Sequence, residues 1–172
     1  WKLHVEKRRN LYQRHLGVPL SLLRGRSVLE FGCNSGENAL VLAHFGADVT
    51  LVEPNELVMP RLKELFNQYG LAERITDLIH EDIDTFVPDT KYELVIAEGF
   101  VNTLDNRDEI FSKVCSILSP GGLAIISFDD CYGHLIELTR KLVFWRVFRL
   151  EGAENAHGSD SLDLAKRLYL QD

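Results

Sequence analysis

The chain has 172 residues, 45% apolar and 26% charged, and its 26 carboxylates outnumber its 19 Lys and Arg to leave a net charge of −7. This length suits one ordinary domain with a sizeable core, and the composition excludes a disordered or fibrous polymer. The acidic balance speaks against gripping a nucleic-acid backbone, which draws its affinity from Lys and Arg neutralising phosphates.

Taken in chain order, residues 3–16 read as an amphipathic helix ending before Gly17 and Pro19. Residues 27–31 read as a buried strand, 36–45 as a helix and 47–53 as a second strand. The next helix has Pro60 in its first turn and ends near Tyr69 with Gly70 as its stop. Strands follow at 75–80 and 92–97, then a helix at 106–118 and a fifth strand at 123–128. Strands rich in Val, Ile and Leu that alternate with helices belong to a parallel sheet covered on both sides. The expected class is α/β: a doubly wound, mostly parallel sheet with helices on both faces, in which closing antiparallel strands are not evident. Residues 131–170 read as two helices separated by a polar loop at 152–160, so the fifth strand needs a partner or a cover. The whole of 1–172 is expected to form one domain, with its core at 27–128 and helical flanks at 1–20 and 131–172. An opening on Trp1 and the missing strands raise the expectation of a truncated piece.

Cys33, Cys115 and Cys131 are widely spaced with no C-x-x-C pair, so neither a disulfide framework nor a metal site is indicated. A reducing, cytoplasmic setting is expected. No apolar run approaches the roughly 18 to 20 residues that cross a bilayer, and the opening segment is too charged for a signal peptide.

The turn after the first strand runs from Glu30 through Gly32, Cys33, Asn34 and Ser35 to Gly36. It lies where an open α/β sheet binds ligands, beyond the carboxyl ends of the strands. Gly32 lets a ligand approach the backbone, and Asn34 tolerates a left-handed conformation better than most residues. A plain strand-to-helix turn is the bland alternative. Glu53 ends the second strand, before Pro54 and Asn55, and its two carboxylate oxygens match the vicinal hydroxyls of a ribose. A helix-capping acid would look the same. Glu53 lies 21 residues after Gly32, close to the roughly 20 expected of a nucleoside-binding unit.

A dinucleotide-binding dehydrogenase is the first rival, but its fingerprint needs a glycine where this chain has Glu37. Acids at Glu30, Glu37 and Glu53 suit a nucleoside without phosphates and with a positive centre.

These residues resemble the class I S-adenosylmethionine-dependent methyltransferases over about residues 27–128, and the resemblance implies their Rossmann-like fold. Glu30 to Gly36 is similar to the family's first motif, with Asn34 in place of the middle glycine. The resemblance implies that the backbone of Gly32, Cys33 and Asn34 holds the methionine portion, with Glu30 near its ammonium group. It implies further that Glu53, followed by Pro54, binds the ribose. Glu81-Asp82-Ile83 looks like the next motif, in which Asp82 would bond the adenine amino group and Ile83 pack on the ring. The segment Tyr92 to Phe100, with Glu98 and Gly99 at its end, looks like the fourth strand, which faces the transferred methyl. Ser119-Pro120-Gly121-Gly122 resembles the turn into the fifth strand. The amino-terminal helix resembles the one that small-molecule methyltransferases fold over the cofactor, with Tyr12 as its residue of interest.

The implied function is methyl transfer from S-adenosylmethionine to a small-molecule acceptor through an oxygen, nitrogen or carbon nucleophile. A non-catalytic cofactor-binding module of a larger protein is the alternative. No catalytic residue is assigned: His80, Tyr132 and His134 follow strands three and five, and for His80 a backbone partner is favoured over catalysis. The segment 133–150 is basic and aromatic. It reads first as packing, second as a substrate lid, and also as a peripheral membrane contact, whereas nucleic-acid binding is disfavoured.

Overall fold

The apolar runs become five strands, β1 (Ser27–Phe31), β2 (Asp48–Val52), β3 (Ile75–Ile79), β4 (Tyr92–Ala97) and β5 (Leu118–Ile126). In this computed structural model, which describes residues 1–128, 132–133 and 135–150, they pair in parallel in the order β3-β2-β1-β4-β5. The doubly wound expectation holds. Helices α1 (Lys2–Asn10), α2 (Glu37–His44), α3 (Met59–Gln68), α4 (Arg107–Ile117) and α5 (Leu135–Leu150) complete the element order. The chain divides into two compact units, Trp1–Phe128 and Asp129–Asp172.

Strand alternation builds two apolar layers in the first unit, because successive side chains point to opposite faces. Val28, Val49, Leu51, Leu94 and Ile96 meet α2 and α3 residues such as Leu40, Leu62 and Phe66. Leu29, Phe31, Val52, Val95 and Ala97 meet Ile110, Val114 and Ile117 of α4. Pro60 sits in the first turn of α3 as expected, and Gly70 follows its end in a left-handed conformation.

Three local expectations change. The amino-terminal helix is α-helical only to Asn10 and then widens into a π-turn at Leu11–His15, closed by Leu16 N–H donating to Leu11 C=O at 3.0 Å. Such a turn inserts a residue into the helical register, and here it accompanies the full burial of Tyr12. The fifth strand starts at Leu118 rather than 123 and ends at Ile126, because Ser119–Gly122 form a bulge between the pairs Tyr92↔Leu118 and Leu94↔Leu123. Gly122 is required there, since a Cβ would lie 3.0–3.1 Å from the carbonyl oxygens of Ser119, Glu93 and Tyr92. The edge strands β3 and β5 are half exposed rather than covered on both faces.

The second unit's α5 carries exposed Leu135, Ile136, Leu142 and Trp145 together with Arg140, Lys141, Arg146 and Arg149, the last stacked on Trp145 at 4.7 Å. The expected helix after 160, the loop at 152–160, Cys131 and His134 lie outside the described residues. Among the described residues no helix is long and apolar enough to cross a membrane.

Candidate functional site

The carboxyl ends of β1, β2 and β4, with the segments that follow β1, β3 and β4, surround a cavity of about 640 Å³. It lies at the reversal of strand order between β1 and β4, the position where open α/β sheets take ligands. Its size suits a small organic molecule.

Glu30, Gly32, Cys33, Asn34, Glu53, Pro54, Asp82, Ile83, Glu98 and Gly99 all line this cavity. Tyr12 and Gly36 do not. Tyr12 is buried behind it, and Gly36 packs beneath the loop against Leu62. Ser35, Asn38, Phe100 and Leu104 also line the cavity, and sequence reasoning passed over them. Phe100 was legible as the residue after Glu98-Gly99, and its ring now lies against the bare backbone of Gly32.

Glu53 organises the loop. One of its oxygens, Oε2, accepts from the Asn34 N–H at 2.8 Å and the other, Oε1, from the Asn55 N–H at 3.0 Å. The first of these bonds holds Asn34 at φ +46°, the left-handed conformation expected for that position. The Cys33 thiol, 3.9 Å from the same Oε2, is pushed up in pKa by burial and by Glu30 and Glu53, so it is a poor nucleophile. A carboxylate anchored by backbone donors still has lone pairs directed outward for further donors.

The amino-terminal helix reaches the cavity wall from outside, at Glu98. Arg8 Nη2 bonds Glu98 Oε2 at 2.6 Å and the Tyr12 hydroxyl at 3.3 Å, and its guanidinium lies 5.2 Å from the Tyr12 ring centre. Burial opposes the Arg8 charge, but Glu98 and Tyr12 outweigh it and hold the pKa above its ordinary value. Burial also pushes the Tyr12 phenol up. Glu30 sits on β1 beside this pair, 4% exposed, and its Oε2 has no hydrogen-bond partner among the described residues. Its desolvated carboxyl is pushed up to about 8, with Arg8 pulling down and Glu98 adding to the rise. Arg8→Met is expected to lower stability by about 1–3 kcal/mol, because it leaves Glu98 and the Tyr12 hydroxyl without their donor. Urea melts measure this, and an unchanged midpoint would show that apolar contacts alone hold α1.

Glu37 is not part of the acidic rim. It bonds Ser35 at the start of α2 and lines a separate depression of about 460 Å³ with Trp1, His4 and Tyr69. Glu53, Asp82 and Glu98, three acids around one cavity, would instead disfavour a pyrophosphate. Asp82 is exposed at the start of a turn, where its backbone carbonyl accepts from Phe86 N–H at 3.0 Å, and Ile83 beside it is buried. Ser127 Oγ accepts from the Gly99 N–H at 2.6 Å and fixes the turn after β4. His80 Nε2 lies 3.0 Å from the Pro54 carbonyl oxygen, the backbone partner favoured for it. Tyr132 belongs to the second unit, where it is exposed.

Residues 5–167 match a family model described as a methyltransferase domain. Among curated proteins, the chain is 26% identical over 141 residues to malonyl-[acyl-carrier protein] O-methyltransferase 2 of Ilyobacter polytropus, covering 77% of this chain and 53% of that protein. It therefore spans about half the length of that relative, and about a third of a sterol 4-C-methyltransferase from Caenorhabditis elegans, 34% by alignment at 25% identity. Among solved structures, a methyltransferase of Geobacter sulfurreducens in complex with S-adenosyl-L-homocysteine shares 26% identity at a TM-score of 0.55, over 62% of this chain and 43% of that one. With the parallel sheet, the cavity at its switch point and the family match over nearly its whole length, the chain belongs to the class I S-adenosylmethionine-dependent methyltransferase domains.

Proposed function

We propose that the cavity binds S-adenosylmethionine and that the chain is the cofactor-binding part of an enzyme that methylates a small-molecule acceptor. The observation that carries this reading is Glu53, a buried carboxylate at the end of β2 held by two backbone N–H groups and open to the cavity. Glu53 would accept from the ribose hydroxyls, Asp82 would accept from the adenine amino group, and Ile83 would pack on the ring. Gly32, Cys33 and Asn34 would approach the methionine portion through their backbone, with Glu30 near its ammonium group. Glu98 and Gly99 follow β4 on the side from which an acceptor would enter. The unit Trp1–Phe128 contains all of these residues.

S-adenosylmethionine, when bound, supplies a methyl group already activated on a sulfonium. The residues then have to orient and desolvate, contributions that reach roughly 7–11 kcal/mol when alignment is good. A base is not required of this chain for an acceptor that is already nucleophilic. Support for a small acceptor comes from a neighbour of the same fold, coclaurine N-methyltransferase bound to N-methylheliamine and S-adenosylhomocysteine, 20% identical at a TM-score of 0.61. The net charge of −7 weighs against nucleic acid as an acceptor.

Isothermal titration with S-adenosylhomocysteine should show binding in the micromolar range, about −8 kcal/mol, and none with a nicotinamide dinucleotide. The reverse preference would overturn the reading. Incubation with methyl-labelled S-adenosylmethionine and small amine, hydroxyl and carbon acids then separates an enzyme, which forms product, from a binding module.

A further inference from the structure

Glu30, placed above near the ligand's ammonium group, has no counter-charge bonded to it among the described residues. It is a carboxyl side chain, 4% exposed, at the wall of a ligand cavity, and its Oε2 has no donor among the described residues. A buried carboxylate with an unfilled lone pair is strongly unfavourable, which a proton or an arriving cation relieves.

The groups that face Glu30 decide between these two. From the amino-terminal segment come Arg8 and Tyr12, from the end of β4 comes Glu98, and from the loop after β1 comes Cys33, itself against Glu53 of β2. Arg8 is the cation among them, and its Nη2 is already engaged by Glu98 at 2.6 Å and by Tyr12. Tyr12 and Cys33 are neutral, since burial pushes both pKa values up. One guanidinium therefore stands between two carboxyl groups, Glu30 buried and Glu98 half-buried; its Nη2 is bonded to Glu98, and its Nε makes no hydrogen bond to Glu30.

We propose that Glu30 carries a proton while the cavity is free of ligand and releases it to solvent when a ligand's α-ammonium group arrives beside it, so that capture of an amino-acid moiety is coupled to loss of one proton. This coupling presupposes that the cavity takes S-adenosylmethionine, and it adds to that reading a regulation by pH of the same site. The carboxyl ordinarily titrates near 4.5 and is pushed up to about 8 in the folded chain. Between those values the folded chain holds a proton that the unfolded chain has lost, so stability falls as pH rises through this window. A neutral ligand-free Glu30 at pH 7 then becomes charged in the complex, with the ammonium as its counter-ion.

The test is calorimetric titration of the full chain with S-adenosylhomocysteine at pH 7 in two buffers of different ionisation enthalpy, repeated with 5′-methylthioadenosine, which lacks the amino-acid moiety. S-adenosylhomocysteine should release most of one proton and bind about tenfold more tightly at pH 8 than at pH 6.5. With 5′-methylthioadenosine there should be no release. Glu30→Gln should abolish the release, flatten the pH dependence of binding and remove the fall in melting temperature between pH 5 and 8. Should Glu30→Gln not fold, the comparison of the two ligands on the unaltered chain decides alone. Binding whose heat is the same in both buffers, or an equal release with 5′-methylthioadenosine, overturns the coupling and leaves the cofactor reading intact. No binding of S-adenosylhomocysteine at all overturns the cofactor reading itself, and the coupling with it.

Discussion

Gly36→Val is expected to lower the urea midpoint of unfolding more than any other single change in the loop after β1. Gly36 caps the start of α2 with φ +80°, a conformation that is a genuine outlier for a β-branched residue. A Cβ built there overlaps Leu62 Cδ2 and lies 3.4 Å from Leu65 Cδ2. Leu62 is fully buried in the layer beneath α2 and α3, so it has no open space to move into. Backbone strain of about 1–2 kcal/mol adds to overpacking of about 1–3 kcal/mol, a large share of an ordinary stability of about 5–15 kcal/mol. Combining Gly36→Ala with Leu62→Ala separates the two effects, since the second change relieves crowding and leaves strain. A midpoint unmoved by Gly36→Val would show that the loop does not make this turn.

The second large effect is on binding. Glu53→Gln should weaken S-adenosylhomocysteine almost as much as Glu53→Ala does, by about 1.5–3 kcal/mol or ~10- to 100-fold. An ordinary expectation would treat the carboxamide as the milder change. Here both carboxylate oxygens already accept from backbone N–H groups, those of Asn34 and Asn55. In either flip a carboxamide turns its NH₂ toward one of these donors, so the loop loses an anchor as the ribose loses an acceptor. Titration calorimetry of both variants measures this, and a dissociation constant unchanged in Glu53→Gln would mean that the nucleoside does not touch this residue.

Much of this site could be read from local pattern. Short runs such as Val28 to Phe31 and Leu94 to Ala97 are apolar on both faces because both faces are covered, and that burial fixed the parallel sheet and its carboxyl rim. Glu53, Asp82 and Gly99 follow directly from strand ends, so their place on the cavity was legible too. What escaped depends on partners distant in sequence. Arg8 meets Glu98 across 90 positions, and no spacing rule connects them, although the i, i+4 placement of Arg8 and Tyr12 hinted at a shared helical face. The early start of β5 depends on a bulge measured against β4, which only the pairing of the two strands defines. Glu37 misled for a related reason: a residue at a helix start can point along the helix flank rather than at the ligand, as its bond to Ser35 does here.

The cavity wall draws on both faces of the sheet. Cys33 belongs to the apolar layer of α2 and α3, whereas Phe31, Ile83 and Phe100 belong to the layer of α4. An occupant touching both would act as a rivet between two halves that the sheet otherwise keeps apart, so that local opening of either half would first have to release it.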